Sequence, residues 1–222
     1  MKSIFSFLLL TTFCLLPFVA FSSTFTSTNS ILLPTTDDIN GLPVPVQDLD
    51  GDPVKIGEEY IIHTLLSNGK IYLIYVENTT CPNGIIEISG YYKEGTPVKF
   101  FTKNPTRPAP FNVVRETNDI NIMFSDPTTT SLCVNETVWK VSDPDIKAKG
   151  LRFVVTGGTL GNISSWFKIE KFKTERPGSY KLTYCPTCSI NDCEDVGVQV
   201  PRLALTNKPL SFGFKKVKKS DA

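Results

Sequence analysis

The sequence predicts an all-β protein. Short apolar stretches follow one another along the chain, and turn-forming residues such as SNGK and ENTTCPNG separate them. Several stretches alternate as a strand with one buried face does, and Val, Ile, Phe and Tyr are frequent in them. No segment keeps a helical period over three turns. In order, the expected strands are YIIHTLL, IYLIYV, IIEIS, INIMF, TVWKV, LRFVV, SWFKIEKF, YKLTY, RLALT and LSFGF. Regularly spaced strands of this kind are typical of a β-barrel or a β-sandwich.

The N-terminus predicts a secretory signal peptide. Lys2 precedes an apolar run over residues 4–16, and Ala20 and Ser22 have the spacing of a signal-peptidase site. A membrane anchor is the alternative reading. It is disfavoured because Pro17 and two threonines interrupt a run that is already short for a span of ~20 residues.

Cleavage would divide the chain into three parts. Residues 1–23 are the leader, residues 24–33 a flexible segment rich in Ser and Thr, and residues 34–222 a single domain. The full chain has 23 Lys and Arg, one of them Lys2, against 22 Asp and Glu, so the mature chain is balanced. A neutral balance gives no reason to expect nucleic acid or a membrane as partner. We expect a secreted, extracellular monomer.

The cysteines and the sequons follow from the secretory route. Of six cysteines, Cys14 would leave with the leader, and the five that remain are Cys81, Cys133, Cys185, Cys188 and Cys193. An oxidising compartment implies disulfides, and an odd count implies one free or intermolecularly paired thiol. Three sequons without a central Pro predict glycan sites on surface loops, and we expect at least one to be used: Asn78, Asn135 and Asn162.

The sequence offers no supported active site. A Ser-His-Asp or Cys-His site would need His63, the only histidine, and nothing near it resembles a nucleophile elbow. A zinc site at CPTC lacks further ligands for the same reason. The stretch DLDGD, residues 48–52, weakly resembles a calcium loop, but Pro53 and the strand context favour a tight turn. We expect neither an enzyme nor a bound metal or cofactor.

One stretch identifies a family. VQDLDGDPVKIGEEYII, residues 46–62, resembles the N-terminal signature of the plant Kunitz-type (soybean trypsin inhibitor) protease inhibitors: aliphatic-x-Asp-x-acidic-Gly-polar-x-aliphatic, five residues, then Tyr-x-aliphatic. EGTPVKFFTKNP, ISSWFKIEKF, SYKLTYCPTC, CEDVGV and RLALTNKPLSFGF are similar to the miraculin-like branch of that family. The resemblance runs over nearly the whole mature chain. It implies a β-trefoil, with twelve strands in three pseudo-repeats, six closing a barrel and six capping it.

The resemblance also implies two disulfides. The matching pairs are Cys81–Cys133 and Cys185–Cys193, which leaves Cys188 as the odd thiol. The alternative pairing Cys188–Cys193 stays open.

The resemblance implies a secreted protease inhibitor that presents the loop between its fourth and fifth strands, here residues 102–115. Arg107 is the P1 candidate, and a basic P1 suits trypsin-like enzymes because an Asp lies at the base of their pocket. The implied partner is a secreted serine protease, with a cysteine protease or a carboxypeptidase as alternatives. The expected inhibitory residues are Lys103, Asn104, Pro105, Thr106, Arg107 and Pro108.

Two residues depart from the family pattern. Pro108 would occupy P1′, where its ring crowds the leaving-group side and removes a donor. Ile56 stands where family inhibitors keep an Asn whose amide braces the loop, and Ile cannot make those hydrogen bonds. Lys173, in the hairpin KFKTERPGSYK, is therefore an alternative reactive residue. The alternative function is a non-inhibitory β-trefoil module that binds a carbohydrate or a protein receptor.

Overall fold

The protein is described by a computed structural model. All of the described residues lie in one compact unit, Thr35–Ala222. The predicted leader and the segment 24–33 fall outside them. No helix among the described residues is both long and apolar enough to cross a bilayer. The described residues are 42–76, 79–90, 94–102, 112–125, 133, 137–173, 177–186, 192–199 and 201–218.

Strands dominate this part of the chain, which confirms the all-β prediction. One 3₁₀ helix, Ile163–Ser165, precedes the eighth strand. The twelve strands within the described residues are β1 (Glu59–Thr64), β2 (Gly69–Ile74), β3 (Gly84–Ser89), β4 (Val98–Thr102), β5 (Asp119–Phe124), β6 (Lys140–Val141), β7 (Val154–Val155), β8 (Phe167–Lys171), β9 (Tyr180–Tyr184), β10 (Glu194–Gln199), β11 (Arg202–Thr206) and β12 (Phe212–Lys216).

Six strands pair in a closed ring. Strand β1 pairs with β4 and β12, β4 with β5, β5 with β8, β8 with β9, and β9 with β12, all antiparallel. The other six strands form the hairpins β2–β3, β6–β7 and β10–β11, and β3 connects them by pairing with β7 and β11. Each ring strand therefore has backbone partners on both sides.

Side chains of the ring strands fill the interior. Alternate residues of β4 and β8 are buried, Val98 and Phe100 in one and Phe167 and Ile169 in the other, as the two-residue period of a strand requires. Phe100 meets Phe214 of β12 edge to face, with the ring centroids 5.2 Å apart. Each such fully buried side chain stabilises the fold by about 1.5–3 kcal/mol.

Two disulfides cross-link the loops. Cys81 and Cys133 have Cα atoms 5.5 Å apart and are separated by 52 residues, and we call this pair the long-range disulfide. Cys185 and Cys193 have Cα atoms 4.2 Å apart and are separated by eight residues, and we call this pair the local disulfide. Both pairings are the ones that the family resemblance implies. Cys188 lies outside the described residues.

Candidate functional site

The candidate inhibitory loop joins β4 to β5. Thr102 ends β4 opposite Ile120 of β5, and the described chain resumes at Asn112. The structure therefore describes both ends of this loop. We call the end of β4 its first limb and the chain from Asn112 onward its second limb. The expected inhibitory residues themselves, Lys103, Asn104, Pro105, Thr106, Arg107 and Pro108, lie outside the described residues.

An N-terminal segment, residues 42–57, lies against the second limb of the loop. The Val46 amide donates to the Val114 carbonyl (2.9 Å), and the Val114 amide donates to the Val54 carbonyl (2.8 Å). The Val54 amide in turn donates to the Val46 carbonyl at 2.8 Å. All three valines are fully buried, so the limb is fixed by backbone hydrogen bonds and by packing together.

Two consecutive amides of this segment hold both limbs of the loop. The Ile56 amide donates to the carbonyl of Asn112 at 2.8 Å, and the Gly57 amide donates to the carbonyl of Phe100 at 3.0 Å. Phe100 belongs to β4, which enters the loop, whereas Asn112 belongs to the limb that leaves it. We call this pair of amides, Ile56 and Gly57, the amide clamp.

The amide clamp depends on backbone geometry, not on a side chain. Gly57 has a φ of +78°, in the left-handed region that glycine adopts without strain. The Ile56 side chain packs against the buried core and carries no polar atom. The sequence correctly indicates that Ile56 cannot brace the loop through its side chain. Sequence reasoning missed the clamp, for which Gly57 was the available signal.

Two tyrosines hold the N-terminal segment against the ring. The Lys55 amide donates to the Tyr60 hydroxyl (2.8 Å), and the Gln47 amide donates to the Tyr180 hydroxyl (2.9 Å). Both tyrosines are almost fully buried, and this burial raises the pKa of each hydroxyl. Both hydroxyls therefore stay protonated at neutral pH. The segment is thereby tied to β1 and to β9.

The stretch DLDGD forms the predicted tight turn. Asp48 is buried, and its Oδ1 accepts hydrogen bonds from the amides of Asp50 (2.9 Å) and Asp52 (3.0 Å). Gly51 has a φ of +90° in this turn. His63 lies within β1, as expected for an ordinary strand residue. Among the residues that the structure describes, no group of three or more His, Cys, Asp or Glu could hold a metal ion.

A groove of about 730 Å³ runs beside this turn, lined by carboxylates and lysines. Some of its charges form ion pairs: Lys216 with Glu58, and Lys99 with Glu59 at 3.2 Å. Lys215 pairs with Asp50, and that hydrogen bond lowers the pKa of the Asp50 carboxyl. Five carboxylates and three lysines line the groove, so carboxylates remain in excess after these pairs form.

Lys173 lies just beyond the end of β8 and is exposed. No hydrogen bond or ion pair holds its side chain within the described part of the chain. The neighbouring Lys171 differs, since its ammonium lies 5.7 Å from the centroid of the Tyr180 ring. The N-terminal segment forms a hydrogen bond with Tyr180 through Gln47, and it forms hydrogen bonds with Val114 of the β4–β5 loop. It therefore contacts both β9, which follows the Lys173 hairpin, and the second limb of the β4–β5 loop.

Of the three sequons, the structure describes one. Asn162 is exposed and caps the 3₁₀ helix Ile163–Ser165. Asn78 and Asn135 lie outside the described residues.

Comparison with known proteins identifies the family of this architecture. The Kunitz legume family model, described as trypsin and protease inhibitor, matches residues 46–216. Cysteine protease inhibitor 1 of Solanum tuberosum is 43% identical over 209 residues, which cover 89% of this chain and 88% of that protein. Miraculin of Synsepalum dulcificum is 35% identical over a match that covers 82% of this chain and 88% of that protein. Aspartic protease inhibitor 5 of Solanum tuberosum is 37% identical over a match that covers 92% of this chain and 96% of that protein.

A solved structure agrees with these relatives. A Kunitz-type cysteine protease inhibitor from potato superposes with a TM-score of 0.67 at 46% sequence identity, covering 81% of this chain and 100% of that one. Protease inhibitors are not enzymes, so the relatives support a non-catalytic protein. The family match spans most of the sequence, including both limbs of the candidate loop, and the chain belongs to the plant Kunitz-type family of trypsin and protease inhibitors.

Proposed function

We propose that the protein is a secreted protease inhibitor that binds its target through the loop between β4 and β5, with Arg107 entering the specificity pocket. The observation that best supports this proposal is the amide clamp, because it fixes both limbs of the loop before a protease arrives. Ordering a loop on association costs about 0.5–1.5 kcal/mol per immobilised side chain, and a loop with fixed ends avoids part of that cost. The scaffold that we propose is a β-trefoil with three pseudo-repeats, supported by the ring of six strands and the three hairpins.

Two observations favour different target classes. Lys103 and Arg107 make the loop basic, which suits a trypsin-like serine protease. The relative at 43% identity and the solved structure are both named as inhibitors of cysteine proteases. We propose a serine protease as the target and a cysteine protease as the alternative.

Lys173 is the second candidate for the contact residue. Pro108 follows Arg107 directly, and a proline at P1′ crowds the leaving-group side. The exposed Lys173 side chain precedes Thr174 and has no such neighbour. Arg107 and Lys173 are therefore two candidates for the residue that contacts the protease, and both can be tested.

Titration against a panel of proteases tests the proposal. The panel contains a trypsin-like serine, a papain-like cysteine and a pepsin-like aspartic protease, each calibrated for active sites. Arg107→Ala is expected to weaken inhibition at least about tenfold, the equivalent of 1.4 kcal/mol, and Lys147→Ala, at an exposed lysine of the β6–β7 loop, is the matched control. If Lys173→Ala, and not Arg107→Ala, weakens inhibition by this amount, the contact residue is Lys173 in the β8–β9 hairpin. Full activity of every protease in the presence of the unmutated protein would refute the inhibitor function.

The competing function is a non-inhibitory binding module. Pro108 and the apolar Ile56 are the residues that favour it, because both depart from what an inhibitory loop requires. A glycan array and a pull-down with extracellular extract test this alternative. Specific binding, with all proteases of the panel still active, would favour the module over the inhibitor.

Secretion is tested separately. We propose that residues 1–23 direct export, because a basic residue, an apolar run and a small-residue site follow one another there. N-terminal sequencing of the protein exported from a eukaryotic host should begin near residue 24. Retention of the full chain inside the cell would contradict this assignment.

A further inference from the structure

The sequon at Asn162 is folded into a compact turn. The Asn162 Oδ1 accepts a hydrogen bond from the Ser164 amide at 3.0 Å and a second from the Ser164 hydroxyl at 3.1 Å. The first and third residues of the sequon are thus joined through the carboxamide oxygen. The amide nitrogen, Nδ2, makes no hydrogen bond with any described residue.

A buried asparagine below the turn supplies the polar contacts that hold it. Asn121 of β5 is 1% exposed. Its Nδ2 donates to the Ser165 carbonyl at 2.7 Å, and its Oδ1 accepts from the Gly161 amide at 2.8 Å. The Ser165 hydroxyl also accepts from the Thr159 amide at 3.2 Å. A substituent on Nδ2 of Asn162 would therefore break none of the bonds that hold this turn.

Two large apolar side chains flank the sequon on the surface. Leu160 is 46% exposed and Ile163 is 52% exposed. Single exposed apolar residues are normal on a soluble protein, but these two lie within two residues of the asparagine, within reach of a sugar attached to it. The apolar faces of a sugar attached to Asn162 would remove part of these two side chains from water.

We propose that Asn162 carries an N-linked oligosaccharide whose first sugars cover Leu160 and Ile163. The proposal rests on the secretion proposed above, because the donor is a polyprenyl-diphosphate oligosaccharide of the secretory pathway. In the transfer, Nδ2 attacks the anomeric carbon of the donor, and a carbon–nitrogen bond forms. The carbon–oxygen bond to the diphosphate breaks, the lipid diphosphate leaves, and one amide proton passes to a base of the transferase.

Peptide mapping of the exported protein tests the modification. A host leader replaces residues 1–23, so that export does not depend on the native leader. The tryptic peptide of residues 153–168 is analysed after peptide-N-glycosidase treatment in heavy-oxygen water. The expected result is conversion of its asparagine to a heavy-oxygen aspartate in most molecules. An unmodified peptide from the exported protein would overturn the proposal.

Variants of the sequon separate glycosylation from misfolding. Asn162→Gln and Ser164→Ala should each abolish the modification of this peptide. Ser164→Thr keeps the sequon and is the matched control, which should retain the glycan. Loss of the glycan in Ser164→Thr, or its persistence in Ser164→Ala, would contradict the assignment. Inhibition of proteases is not measured, so failure of this proposal and failure of the proposed function remain distinguishable.

The covering of the apolar pair has its own readout. Enzymatic removal of the glycan from the folded protein should raise binding of a hydrophobic dye about twofold. In the double variant Leu160→Ser with Ile163→Ser, the same treatment should leave dye binding unchanged. Equal dye binding by the glycosylated and deglycosylated forms of the unmutated sequence would refute the covering of these side chains.

Discussion

Substitution of Gly57 by Ala is the sharpest test of the amide clamp. Gly57 has a φ of +78°, and a Cβ atom there would meet no other atom within 4 Å. The change therefore acts through backbone strain alone, about 1–2 kcal/mol for a residue with a side chain in this conformation. Reduced flexibility of the unfolded chain offsets about 0.4–1 kcal/mol of that strain. We expect a net loss of about 1 kcal/mol.

The functional effect follows if the strain is relieved at the clamp. Rotation of residue 57 would weaken its hydrogen bond to the Phe100 carbonyl, a bond worth about 0.5–1.5 kcal/mol. If the loop inhibits as proposed, the inhibition constant of Gly57→Ala should rise roughly five- to tenfold. The assay is inhibition of the protease that the panel identifies, together with the rate at which that protease cleaves the variant.

Gly51→Ala is the matched control for this experiment. Gly51 has a φ of +90°, and a Cβ atom there would likewise meet no atom within 4 Å. Its amide bonds to Asp48 within the turn and not to either limb of the loop. Both variants should lose similar stability, but only Gly57→Ala should lose inhibition and show faster hydrogen exchange of the Ile56 amide. Equal changes of the inhibition constant and of this exchange rate in both variants would refute the clamp.

Three further predictions concern the scaffold. Replacement of the long-range disulfide by Cys81→Ser with Cys133→Ser should lower the free energy of unfolding by about 4 kcal/mol in the chain-entropy model, against about 2.5 kcal/mol for the local disulfide. Equal losses in urea titrations would contradict the loop-length argument. Burial, and secondarily nearby lysines, lowers the pKa of His63, so the unfolded chain binds the proton more tightly and stability should fall as the pH drops below about 6.5. His63→Gln should flatten this slope between about pH 7.5 and about pH 5.5, and an unchanged slope would disprove the assignment. Asn121→Ala leaves the buried Ser165 carbonyl unpaired and removes the hydrogen bond to the Gly161 amide. Calorimetry should show a loss of about 3 kcal/mol and a fall of about 6–12 °C in Tm, and a fall of less than about 2 °C would count against this role of Asn121.

The sequence predicted some strands residue for residue and others only in part. YKLTY and RLALT are β9 and β11 in the structure. TVWKV and LRFVV contain only the two-residue strands β6 and β7, because Val138 and Phe153 pair through isolated bridges outside the named strands. The alternation of apolar and polar residues predicts which side chains are buried. It does not predict with which neighbouring strand the backbone forms hydrogen bonds. Strand β10, EDVGVQ, was not predicted from its pattern, since charged residues open it.

The site was less accessible to sequence reasoning than the fold. The five cysteines outside the predicted leader permit several pairings, and the family resemblance supplied the two that the structure forms. The position of Ile56 was identified correctly as one without a side-chain brace. Its main-chain hydrogen bond to Asn112 could not be predicted, because every residue except proline carries the same backbone amide. The contacts of residues 42–57 with Val114 and with Tyr180 join residues that are distant in sequence, which local patterns do not predict.

The closed ring also bears on how such a protein can diversify. Among the described residues, every ring strand is already paired on both sides, so an incoming chain finds no free edge of the ring to extend. At the ring, an incoming partner therefore meets the connections between strands. Lengthening a connection costs little, since the closure entropy grows only with the logarithm of its length. New specificities can therefore arise in the connections while the frame stays intact, in keeping with relatives named for cysteine and for aspartic proteases.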